Sequence, residues 1–319
     1  MTTGEKTRAL WEWAFFTSVA VVIGLMGTYL PPLYFVATVF IPLPVILLVV
    51  RLDTRYGVLG LAAAGLLLLM LIPKPLVVLV LIIQYGLLGL LYGLLFKNQV
   101  SSGKNIAAGL MGASVLALFS MTMVYTLTGE NPFVLGQEGR RMAEQWLAAN
   151  QSAGAFNGVP ADWQDSFGET MIALFELFIP AQFIVTSAVA AAITYFLARV
   201  SLRRLNFILP PPPAFTRMSL PWYSVWVLIA GLGLTLSGDQ FSLELAARVG
   251  KNILFVLFYV YLALGFSVAA HYFRKIKLAR AAKIIFLFLA AAYLPFSVVI
   301  ILLLGVADSL MNFRRLPVP

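Results

Sequence analysis

The sequence predicts an all-α protein, a polytopic transmembrane helix bundle of about nine spans (eight to nine), and three observations lead to that expectation. Apolar residues make up 61% of the 319 and charged residues 11%, whereas a soluble domain needs about a quarter of its residues charged to face water. The apolar residues gather into runs that can cross about 30 Å of hydrocarbon at about 1.5 Å per residue. The basic residues collect in short clusters between those runs, as the positive-inside rule requires. The lipid bilayer is therefore the expected surroundings.

The runs follow in order as 10–30, 33–50, 56–72, 76–96, 106–127, 171–197, 221–236, 249–271 and 284–306. The first continues past Gly24 to Tyr29, too long for the apolar part of a signal peptide, and no A-x-A site follows, so it reads as a retained span. The third and seventh are short, and failure of either to cross would leave eight spans. Pro42, Pro44, Pro180 and Pro295 sit inside runs, where each removes a backbone hydrogen bond and predicts a kink. The PPPP stretch at 210–213 reads as a stiff linker. It divides a six-span part, 1–205, from a three-span part, 206–319.

Orientation follows from charge. With a cytoplasmic N-terminus, the inner segments hold 15 of the 22 basic residues against three acids, Glu5, Glu12 and Asp53. The long 128–170 segment then lies outside with six acids and two bases. Within it, Gly136 to Asn150 is compatible with a helix and has Met142 and Trp146 one turn apart. It reads as a connector, a helix lying on the outer leaflet, or a lid over the helix mouths. Nine spans would put Arg314 and Arg315 outside, which the same rule disfavours.

The net charge of +9 is explained by these clusters, and no basic face with interleaved aromatics points to nucleic acid. With no cysteine and one histidine, His271, neither a disulfide framework nor a several-imidazole metal site can be built. H-E-x-x-H, G-x-S-x-G and P-loop motifs are absent. No catalytic residue, metal or cofactor is expected, and an enzyme is disfavoured.

Ionisable and amide side chains inside spans are the candidates for function, because charge in lipid costs several kcal/mol. Glu176 is the clearest, in the outer half of the sixth span, with Gln182 about two turns deeper. Gln84 and Tyr85 on the fourth span, and Ser120 and Thr122 on the fifth, fall at a similar depth. Together they predict a ligand pocket open to the exterior. The other reading is that Glu176 snorkels to the headgroups while the amides join neighbouring helices. His271 and Asp308 read as interfacial, Asp308 beside Arg314 and Arg315. Small residues spaced by four, Ala14 with Ser18 and Ala20 with Gly24, let a neighbouring helix approach the first span closely.

Pro42-Leu43-Pro44 running to Arg51, GLLGLLYGLLFKN at the end of the fourth span, and Gly305-Val306-Ala307-Asp308 followed by Asn312-Phe313-Arg314 resemble the YybS-like family of bacterial multipass membrane proteins. That family is distantly similar to the S components of energy-coupling-factor transporters, six-helix proteins that bind a small molecule near the outer face and dock through small residues of the first helix. The resemblance implies a bacterial plasma-membrane location, a six-span core, and docking on a membrane-protein partner through Ala14, Ser18, Ala20 and Gly24. The sequence departs from S components in its three further spans and in lacking their alanine pair. The expected function is a small-molecule transporter or substrate-binding transporter subunit taking its ligand from outside. The alternative is a non-transporting scaffold or regulatory protein of the cell envelope.

Overall fold

The computed structural model describes residues 3–129, 131, 134–152, 161–212, 214–276 and 279–316, and every regular element among them is helical. The helices are α1 Thr3–Tyr29, α2 Tyr34–Phe40, α3 Pro42–Arg51, α4 Thr54–Leu71, α5 Pro75–Val80, α6 Leu87–Lys97, α7 Ser102–Thr128, α8 Gln137–Ser152, α9 Ala161–Arg204, α10 Ser224–Gln240, α11 Glu244–Lys275, α12 Arg280–Ala292 and α13 Leu294–Met311. Among the described residues, eight helical stretches are long and apolar enough to cross a membrane. The chain is an all-α multi-pass membrane protein.

Three of the expected spans have more structure than their hydropathy shows. The run 33–50 is divided at Ile41, because Pro42 opens α3 in its first turn, where a missing N–H costs nothing. The run 76–96 passes through a wide π-turn at Leu81–Gly86, which joins α5 to α6 and carries Gln84 and Tyr85; such turns insert an extra residue and re-aim side chains. The run 284–306 is broken at Tyr293. Pro295 lies in the first turn of α13 and starts a helix there, where the sequence predicts a kink. The seventh run becomes α10, only 17 residues long.

The chain forms two compact units, residues 1–132 with 183–212, and residues 133–182 with 213–319. In the first, glycine lets helices meet: a Cβ at Gly89 would lie 2.9 Å from the Pro42 carbonyl oxygen, and one at Gly93 2.7 Å from Val49. Tyr92 and Tyr195 are fully buried in a core with Ile46, Leu88 and Leu202. The Tyr92 hydroxyl donates to the Ala191 carbonyl at 3.0 Å, and Thr194 donates to Val39 at 2.9 Å. Close packing and hydrogen bonds of this kind hold helices together where lipid supplies no hydrophobic drive. Arg51 grips Glu12 through Nε and Nη2 at 2.9 and 2.8 Å. Asp53 caps α4 by accepting from the Thr54 N–H at 2.7 Å. Its hydrogen bond with Lys97 holds the carboxyl below the usual carboxylate range.

The second unit is also joined through glycine. A Cβ at Gly250 of α11 would lie 2.6 Å from the Thr235 nitrogen and 2.8 Å from the Gly231 oxygen of α10. Gly265 and Gly305 bring α11 and α13 into similar backbone contact. One end of this unit is fastened by Arg314. Its side chain is wholly buried, pairs with Asp308 at 2.7 Å, and donates to the Thr216 and Met218 carbonyls and to the Ser267 hydroxyl at 2.9, 2.6 and 2.8 Å. The Tyr272 hydroxyl donates to the Phe313 carbonyl at 3.3 Å. The segment 216–218, the last turns of α11 and residues 313–314 thus lie at one level.

Candidate functional site

Helix α9 has 44 residues, about 66 Å of helix and more than twice a hydrocarbon core. Pro180 sits inside it. A proline has no N–H to give to the residue four positions earlier, and its ring wedges that turn open. The structure supplies the missing partners from α11. The Glu176 carbonyl, which Pro180 leaves without its helical donor, accepts from Arg248 Nη2 at 3.1 Å. The Leu177 carbonyl and the Ala181 N–H, partners in an unbroken helix, are both engaged by Asn252: Nδ2 donates to Leu177 at 2.8 Å and Oδ1 accepts from Ala181 at 3.0 Å. A ring contact between Phe178 and Phe255, 4.6 Å between centroids, packs the same stretch.

Beside Pro180, α8 lies over the first half of α9 and walls a cavity of about 330 Å³. Leu135, Met142, Trp146 and Leu147 form one wall, and Met171, Phe175, Ile179 and Gln182 the other. The volume is at the small end of the range for ligand sites, about 300–1,000 Å³. Among the described lining residues Gln182 is the single amide. Outside the lining, Arg140 of α8 pairs with the Glu176 carboxylate of α9 at 3.0 Å. Arg140 is more than half exposed and Glu176 largely covered, so the pair ties the cover helix to α9 by a bond that water can reach.

The other sequence candidates belong to the first unit. Gln84 Nε2 donates to the Ser187 hydroxyl at 2.6 Å, and Gln84 Oε1 is buried with no partner. The neighbouring Tyr85 hydroxyl faces those of Ser187 and Thr38 and lies near Tyr34, so the π-turn presents two polar groups to one buried cluster. Ser120 and Thr122 turn back on their own helix, donating to the Leu116 and Leu118 carbonyls at 2.8 and 3.0 Å. Ser120 is buried and Thr122 exposed. On α1, Ala20 and Gly24 are occupied from within the chain: Ala20 packs with Ala64 and Leu68, and a Cβ at Gly24 would lie 2.9 Å from Leu68. Ala14 and Ser18 lie on the open face of α1 beside Trp11 and Phe15.

Arg248 went unnoticed in the sequence because it falls just before the hydropathic run 249–271, and Asn252 because it is one uncharged residue at the start of that run. The signal was available in the spacing of Arg248, Lys251 and Asn252, at i, i+3 and i+4, which puts polar groups on one face of an otherwise apolar helix.

A proline-bearing helix whose freed carbonyl is met by a polar side chain, beside a cavity between α8 and α9, gives this multi-pass membrane protein a candidate small-molecule site. The chain matches the family described as "Predicted membrane protein (DUF2232)" over residues 18–309, and it belongs to that family. It is 22% identical over 323 residues to "Uncharacterized protein YybS" of Bacillus subtilis (strain 168), covering 98% of this chain and 99% of that one. The resemblance to the YybS-like family drawn from the second, fourth and last spans is thereby met. No solved structure matches the chain.

Proposed function

We propose that this protein is a small-molecule membrane transporter, or the substrate-binding subunit of one, and that its ligand enters from the external side into the cavity beneath α8. The supporting observation is the cavity itself, walled by α8 and by the half of α9 that leads to Pro180. Backbone that a proline frees from its helical bond is tolerated at membrane depth only where protein or a cavity satisfies it. The lining selects an apolar body with one hydrogen-bonding end directed to Gln182. The Arg140–Glu176 pair is the latch whose opening admits it. A membrane-protein partner would use the open face of α1 at Ala14 and Ser18, which no other part of the first unit covers.

The test is native mass spectrometry of full-length protein extracted from its own membranes, beside Trp146→Ala and Gln182→Ala variants. The expected result is a small molecule retained by the wild type and lost from both variants, with or without co-purifying ATPase subunits. A wild-type protein that carries no molecule, or variants that keep it, removes the proposal. A stable protein partner without any small molecule would favour the scaffold reading.

A further inference from the structure

Among the described residues two arginines are buried, and they are treated very differently. Arg314 has a carboxylate and three neutral acceptors. Arg199, near the end of α9 and 6% exposed, makes one hydrogen bond, from Nη1 to the Ser102 hydroxyl at 3.2 Å. Among the described residues no carboxylate pairs with it. A guanidinium carries five N–H donors, and a buried cation without a counter-charge is costly. Its other nitrogens are not among the sealed polar atoms that lack a partner, so they open onto accessible space.

Ser102 begins α7, a helix of 27 residues. The N-cap residue Ser101 makes no side-chain capping bond, which leaves the first-turn N–H groups and the positive end of the helix dipole without a side-chain acceptor. A Cβ at Gly103 would meet nothing within 4 Å, so the approach to that turn is open. Lys104 adds an exposed cation. The Ser102 hydroxyl donates to the Pro210 carbonyl at 3.3 Å, which turns its lone pairs toward Arg199.

From this arrangement we infer that Arg199 and the first turn of α7 form a binding site for a phosphate-type oxyanion. The oxyanion is held by the free guanidinium donors and the first-turn amides. A phosphoglycerol lipid headgroup and a soluble phosphate share this chemistry. The site lies in the first unit and does not depend on the transport reading.

The experiment measures thermal unfolding of the full-length protein. One arm uses zwitterionic detergent with inorganic phosphate against chloride at equal ionic strength. The other uses phosphatidylcholine nanodiscs with and without phosphatidylglycerol. Binding raises the midpoint of the wild type by about 2–4 °C; a rise with phosphate identifies a soluble anion, and a rise with phosphatidylglycerol alone identifies a headgroup. Arg199→Gln abolishes the rise without lowering the ligand-free midpoint, since it removes an unbalanced charge. Should that variant fail to fold, Arg199→Lys, which keeps the charge and loses the forked donors, is expected to weaken binding about fivefold. No rise in either arm, a rise that survives Arg199→Gln, or unchanged affinity in Arg199→Lys overturns the site.

Discussion

Single residues in this protein show how environment sets the value of an ion pair. Asp308 and Arg314 are both removed from solvent, so loss of one partner leaves the other charge buried alone. Arg314→Met is expected to cost about 3–5 kcal/mol, and the double variant with Asp308→Asn to recover much of that; unfolding of purified protein in denaturant measures both. Arg140 and Glu176 have the same chemistry and similar distance, yet the arginine is more than half exposed. Glu176→Gln should therefore cost less than about 1 kcal/mol of stability, while loosening the cover of the cavity and speeding ligand release. A large loss of stability in that variant would mean that Glu176 holds the fold together and not the latch.

Among the elements, α9 and α11 depend on each other. Asn252→Ala leaves the Leu177 carbonyl and the Ala181 N–H without the groups that engage them, a loss of about 2 kcal/mol for unpaired polar groups in a helix core. Hydrogen exchange at Ala181 should rise in that variant and stay flat in Ala at an exposed position such as Thr186. The helices themselves were legible in the sequence, because apolar runs of membrane length have few other solutions. Their internal breaks were not. Hydropathy is blind to whether a proline sits inside a helix, as Pro180 does within α9, or begins one, as Pro42 and Pro295 do, since that depends on which partner group stands opposite. The candidate residues were legible as polar outliers, but their partners were not: Ser187 beside Gln84, and Arg140 beside Glu176, are brought in by tertiary packing alone.

For the molecule as a whole, the charge rule and the geometry of the second unit can be combined. Arg314 is bonded to residues 216 and 218, and Phe313 to Tyr272, while the sequence assigns both the linker and the basic stretch after α11 to the cytoplasm. If those segments are cytoplasmic, as the charge rule predicts, the end of α13 lies on the same side as the end of α11, and the chain, broken at Tyr293, returns to the side it left. A tag inserted at Ile276 and another after Pro319 should react alike, both protected from an impermeant reagent in intact cells. Labelling of the second alone would restore nine crossings.

The repair of α9 by Asn252 has an inherited side. A chain that exchanges Pro180 for a residue with an N–H regains the bond to the Glu176 carbonyl, and without the ring the Leu177–Ala181 turn closes on itself, so Asn252 becomes free to drift. The reverse order is forbidden at comparable cost, because losing Asn252 first strands the opened turn. In laboratory evolution of this protein, substitutions at 252 should therefore be tolerated only after a change at 180, and Pro180→Ala should make Asn252→Ala nearly silent, a coupling that a double-mutant cycle reads directly.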